Sequence, residues 1–158
     1  MASLRNGGFT LVELMVALAV VGILTVIVLP TYQSSVNKSR RAECRAGLVV
    51  ALQNEERYFT TNNGYDALAT IGSPTWTGNS STSAAGSACT LVAYAGTTSG
   101  VAGATALAGR SNSVVVVATP QGWSDSQCRA SAYAMDSTGS FTPLDASSAP
   151  TTSPSGCF

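Results

Sequence analysis

The sequence contains no histidine. The commonest general base at neutral pH and the commonest nitrogen ligand for metals are therefore both missing. Charge is scarce as well. Lys, Arg, Asp and Glu make up 10% of the 158 residues, against a usual ~25%, and eight basic residues cancel eight acidic ones. Gly, Ser, Thr and Ala fill the deficit, which suits an extracellular surface better than a cytosolic enzyme. Beyond Tyr58 the basic residues are Arg110 and Arg129 alone. Neutralising phosphate dominates nucleic-acid affinity, so this part of the chain is not an obvious DNA binder. The four cysteines, Cys44, Cys89, Cys128 and Cys157, show no C-x-x-C spacing, which argues against zinc. No Ser or Asp stands in a nucleophile or phosphate-loop motif, and the glycine-containing stretch 97–109, TTSGVAGATALAG, lacks the lysine of a Walker loop. No enzyme, no cofactor and no metal are expected.

What the chain does have is one long apolar run. Met1 to Gly8 is a short polar leader, and Phe9 to Pro30 is almost wholly apolar, with a single carboxylate at Glu13. An ionised side chain in hydrocarbon costs at least ~2.5–3.5 kcal/mol on insertion scales, so it is normally paired or functional. As a helix, Phe9–Leu29 would be roughly 30 Å long, enough to span a bilayer. A cleaved secretory signal carries its small-residue site after the apolar stretch. Here the pair Gly7-Gly8 precedes it. Leu29-Pro30-Thr31-Tyr32 is a poor site, although Ala17-Leu18-Ala19 fits the pattern formally.

The leader, the Gly8–Phe9 junction and Glu13 closely resemble the class III signal of type IV prepilins. The resemblance implies cleavage after Gly8 by a prepilin peptidase and N-methylation of the new Phe9 amine. Glu13 then becomes the assembly glutamate, which neutralises the Phe9 amine of an adjacent subunit in the filament. A buried charge pair of this kind sets register, because leaving either charge alone is costly. Gly22 and Pro30 match the helix-weakening positions of type IV pilins; Gly has poor helix propensity, and Pro removes a backbone donor. An ordinary kinked membrane helix would carry the same two residues. The implied organisation is leader 1–8, transmembrane and assembly helix 9–30, and globular head 31–158. The implied fold is α+β, one long N-terminal helix packed by its second half on an antiparallel sheet.

The helical pattern continues past Pro30, with Cys44, Leu48, Leu52 and Phe59 on one apolar face. Lys38, Arg40, Arg41, Arg45, Glu55 and Arg57 are assigned to the remaining surface. The Lys38–Arg45 cluster suits either a solvated face near anionic headgroups or contacts between subunits. The helix is expected to end near Thr60, where TTNNGY supplies a left-handed-tolerant Asn-Gly. Residues 66–88 read as loop, with Trp76 as a packed anchor, and Tyr58 and Tyr65 pack the helix end. Strands are expected at Cys89–Ala95, at Ser113–Thr119 (stopped by Pro120-Gln-Gly122), at Arg129–Asp136 and, after the turn Ser137-Thr-Gly139, around Phe141. In the third, Ala130, Ala132 and Ala134 share one face, on which a helix could approach closely.

An even cysteine count in an exported chain argues for two disulfides. Four cysteines allow three pairings. Cys128–Cys157, which would close a C-terminal loop as in many type IV pilins, and Cys44–Cys89, which would tie the helix to the first strand, are favoured. The hydroxyl-rich tail SSAPTTSPS reads first as an unmodified polar loop and second as an acceptor of O-linked glycans.

The resemblance implies a subunit of a type IV pilus, held in the inner membrane and then polymerised with other pilin subunits into an extracellular filament of a Gram-negative bacterium. Such filaments serve adhesion, twitching motility or DNA uptake. Two alternatives stand beside it. A DNA-receptor (competence) pilin would need a basic stripe, for which Arg110, Arg129 and Arg57 are the candidates. A type II secretion pseudopilin shares the same signal, but such proteins bind calcium near the C-terminus. Asp136 and Asp145 are too few for a calcium cage.

Overall fold

A computed structural model describes residues 8–71, 80, 87–96, 101, 106–125 and 127–149. The leader up to Gly7, Trp76, Cys157 and the end of the polar tail lie outside the described residues. One helix, α1 (Leu11–Asn62), precedes four strands: β1 (Cys89–Ala95), β2 (Val114–Pro120), β3 (Ala132–Asp136) and β4 (Phe141–Leu144). The chain divides into a unit ending at Lys38 and a unit beginning at Ser39.

The first unit is helix. Thr10 caps it, its hydroxyl accepting from the Glu13 N–H at 3.3 Å and its carbonyl from the Leu14 N–H at 3.2 Å. Thr10-x-x-Glu13 has the sequence of a capping box, so Glu13 sits where a carboxylate also favours the helix dipole. Pro30 lies inside the helix. Around it, hydroxyls turn back to the helix's own backbone. Thr31 donates to the Ile27 carbonyl at 3.2 Å, Ser35 to Thr31 at 3.1 Å, and Thr25 to Val21. Such bonds satisfy polar groups where neighbours offer none.

In the second unit α1 buries Cys44, Leu48, Ala51 and Leu52, the apolar face read from the sequence. The helix runs two residues past Thr60. Asn63 then adopts φ 57°, and its N–H donates to the Phe59 carbonyl at 2.7 Å, a left-handed stop. Tyr65 packs on Phe59, with ring centroids 4.7 Å apart.

The strands form an antiparallel meander in the order β1-β2-β3-β4. Leu91 lies opposite Ala118, Val116 opposite Met135, and Met135 opposite Phe141. Since side chains alternate along a strand, this register commits each residue to one face. Cys89, Leu91, Ala93, Val114, Val116, Ala118, Tyr133 and Met135 join the apolar face of α1 in one cluster. Val115, Val117, Ala132, Ala134 and Leu144 form a second cluster with Val101. Both faces of β2 are dry, which is why Val114–Val117 is an unbroken apolar run.

β1 spans the expected residues. β2 is displaced by one position, and Pro120 is its last member, opposite Cys89; a terminal position tolerates the missing donor. β3 is shorter than expected. Arg129 is left-handed, at φ 52°, and Ala130 makes an isolated bridge to Asp125, so the strand begins only at Ala132. That break separates the alanines. Ala130 belongs to the helix-side cluster, whereas Ala132 and Ala134 face away. The close approach expected on an alanine face is not how the helix is met; Tyr133 and Met135 meet it instead.

Candidate functional site

Two regions carry the chemistry, and each is described separately. In the first, the side chains of Leu11 to Gln33 are all exposed, with Phe9 83%, Leu11 76% and Val26 74% open to solvent. The helix is long and apolar enough to cross a membrane. So much continuous apolar surface has to be covered by lipid or by other protein. Among the described residues, nothing lies within 4 Å of where a Cβ would stand on Gly8 or Gly22, so lack of space there does not require glycine at either. Glu13 is exposed on the first turn. The Thr10 cap was signalled by the Thr10-x-x-Glu13 spacing, which the reading of Glu13 as the partner of a Phe9 amine overlooked.

In the second region a buried polar network replaces the solvated surface assigned to Arg41. The Arg41 Nε lies 2.7 Å from Asp125 Oδ2. Its Nη2 donates to Asp125 Oδ1 at 3.4 Å and to Gln127 Oε1 at 3.2 Å. The Tyr133 hydroxyl and the Cys128 N–H also donate to Asp125. Burial pushes the Tyr133 phenol above its ordinary pKa, and its hydrogen bond to Asp125 and that carboxylate's charge add to the shift, so it remains a donor. Helix α1, the segment before β3 and β3 itself are thereby joined at one carboxylate. Arg41 and Glu55 both continue the row Cys44–Leu48–Leu52–Phe59 at helical spacing, and that signal placed them inside.

Glu55 is fully buried. Its Oε2 accepts from the Asp66 N–H at 3.4 Å, while Oε1 has no hydrogen-bond partner among the described residues. Burial is the largest cause pushing this carboxyl up to about 7. The Asp66 N–H works the other way, and the charges of Asp66 and Glu56 add to the rise.

Cys44 is bonded to Cys89, with Cα atoms 5.5 Å apart, so the helix is tied to β1. Next to it, Glu43 Oε1 accepts from the Ser80 hydroxyl at 2.7 Å and the Ala88 N–H at 2.8 Å, which fixes the chain leading into β1. Cys128 is also disulfide-bonded; the expected partner, Cys157, lies outside the described residues.

The charges of this unit are sorted by sign. Arg40, Arg45, Arg57, Arg110 and Arg129 are exposed, whereas none of its described carboxylates is. Glu56 accepts the Tyr65 hydroxyl at 2.8 Å. Asp136 and Asp145 each cap their own turn through backbone N–H groups of Thr138 and Ser140, and of Ser147 and Ala149. Arg40 lies 5.9 Å over the ring of Trp123, and Arg45 5.3 Å over Phe141. The Trp123 indole N–H donates to the Ala88 carbonyl at 2.7 Å, which holds the ring in place. Arg129 and Trp123 line a cleft of about 420 Å³; Arg45 and Arg57 border an open groove of about 740 Å³. The Arg110 side chain lies against Gly64, its Cγ 3.3 Å from where a Cβ would stand. The three arginines weighed for DNA thus sit in three different settings.

Residues 30–132 match the family model described as "Type IV minor pilin ComP, DNA uptake sequence receptor". The chain belongs to this family of type IV pilins. Residues 3–29 match the prokaryotic N-terminal methylation motif. The pilin is also similar to the type IV major pilin protein PilA of Myxococcus xanthus (strain DK1622). Identity there is 32% over 65 residues, covering 41% of this chain and 30% of the relative. It is similar too to type II secretion system core protein G of Aeromonas hydrophila, with 36% identity over 72 residues, 40% of this chain and 50% of the relative. The chain thus spans half or less of the length of these curated relatives. No solved structure matches.

Proposed function

We propose that this pilin is a structural subunit of a type IV filament. A prepilin peptidase cuts it after Gly8, Phe9 is N-methylated, and the helix holds it in the inner membrane until it joins other pilin subunits outside the cell. The observation that carries this reading is the exposed apolar stretch of α1 from Leu11 to Leu29, which lies within a match to the methylation motif over residues 3–29. Transfer from lipid to filament gains little hydrophobic energy, so packing and the pairing of Glu13 with a neighbour's Phe9 amine set the register. Glu13→Ala is expected to spare leader cleavage and block incorporation. Mass spectrometry of the mature N-terminus together with immunoblotting of sheared filaments checks this. Normal incorporation of the variant, or an uncut Met1, would overturn the mechanism.

A second reading gains weight from two observations. The family's description names a DNA uptake sequence receptor, and the exposed charges of the described head are all basic, Lys38 and five arginines. DNA capture by an assembled or membrane-held subunit would then rest on Arg40, Arg45, Arg57, Arg110 and Arg129. Gel shifts of the full chain in detergent at two salt concentrations test it. Binding should weaken with salt in proportion to the phosphates neutralised. No salt-sensitive shift leaves only the structural role.

A further inference from the structure

We propose that Glu55 is a proton-sensitive latch that holds the turn following α1 against the helix when it is neutral and loosens that turn when it ionises. The geometry has three parts. The carboxyl is fully buried, yet one oxygen, Oε1, has no hydrogen-bond partner among the described residues. Its other oxygen holds the Asp66 N–H, at the start of a turn in which the Thr70 and Ile71 N–H groups donate to Ala67. The charged groups acting on it are of its own sign.

From its own helix Glu56 faces it; from the turn, Asp66 does, with Tyr65 beside them. Arg57 is exposed on the helix, and Arg110, on the segment before β2, lies against Gly64. Among the described residues neither forms an ion pair with Glu55. The residues of β1, β2 and β3 in the helix-side cluster are uncharged. A neutral carboxyl is tolerated there, whereas a carboxylate would be desolvated, half-satisfied and repelled.

The direction follows from linkage. The closed form raises the Glu55 pKa from 4.5 to about 7. Its stabilising effect is therefore complete below the open-form value, is lost progressively as pH rises between the two, and stays lost above about 7. A filament subunit outside the cell meets that range directly. The root of the 66–88 segment would then tighten in acid and loosen at neutral pH, while β1–β4 stay formed.

Hydrogen exchange on the full chain in detergent micelles, corrected for the intrinsic rate at each pH, tests the latch. Amides 66–71 of the wild type should exchange on the order of 100-fold faster at pH 8 than at pH 4.5, levelling off near neutrality, while those of β2 change little. Glu55→Gln should make the 66–71 profile flat. Asp66→Asn removes a repelling charge and keeps an acceptor for the Ala67 N–H, so the plateau should begin at lower pH; this second variant covers the case in which Glu55→Gln does not fold. A flat wild-type profile, an unchanged rise in Glu55→Gln, or a plateau unmoved in Asp66→Asn would each overturn the proposal.

Discussion

The two regions of this pilin treat the same helix in opposite ways. From Leu11 to Gln33 apolar side chains stand in the open, and the hydroxyls of Thr25 and Thr31 turn back to the helix's own backbone. From Arg41 to Glu55 the helix puts charged groups inside, Arg41 7% exposed and Glu55 none. The usual rule, apolar in and charge out, fails at both places. In the first region the described residues of this chain supply no cover for the apolar surface. In the second, partners are delivered by residues more than eighty positions away for Arg41, or by the turn just past the helix for Glu55. On the proposed function, exposure here marks what assembly would cover, and burial marks what topology brings together.

The sharpest way to break this comparison is Asp125→Ala. It leaves Arg41 inside with its main partner gone and removes the acceptor of Tyr133. The expected loss is roughly 3–5 kcal/mol, measured by urea unfolding in detergent micelles. A smaller cost, under about 1 kcal/mol, would mean that Arg41 escapes to solvent and that the network is incidental. Removing the Cys44–Cys89 bond as the double alanine variant should cost about 4 kcal/mol in the chain-entropy treatment of so long a loop, and reductant, which also opens the Cys128 disulfide, should cost the wild type at least as much.

Next come paired leucines. Leu48→Ala should destabilise the head by about 3 kcal/mol, while Leu18→Ala leaves head unfolding within about 0.5 kcal/mol and instead lowers incorporation into filaments. Equal effects on unfolding would erase the distinction between the two regions. The smallest effect is at the helix stop. Asn63→Ala should cost about 1 kcal/mol for a left-handed alanine, and Asn63→Gly almost nothing; thermal melts of the two variants separate them.

Much of this architecture was legible in the sequence, for particular reasons. The run Cys89–Ala95 is bounded by turn formers and alternates, so its limits were plain. Val114–Val117 could only be a doubly buried strand. Asn63 announced a left-handed stop. What escaped was set by tertiary partners or local strain. Nothing around Arg129 signals a left-handed residue, so β3 was drawn too long and its alanines were put on the wrong face. Arg41 and Glu55 were sent to the surface because charge was weighed above position, although both lie in register with Cys44, Leu48 and Leu52. At the candidate assembly site, Gly8, Phe9 and Glu13 are proposed from the motif alone, while the cap from Thr10 was overlooked.

The bond between Cys44 and Cys89 has a mechanical side. It closes a ring across a separation of 45 residues, which includes the last turns of α1 and the whole approach to β1. A pull applied between the N-terminal helix and the sheet would cross from one to the other through sulfur, bypassing that ring. At ~3.3–3.6 Å per extended residue, roughly 150 Å of chain is thereby withheld from unravelling. Under tension the chain between the two cysteines would keep its length, and the first segment to yield would have to lie before Cys44 or beyond Cys89.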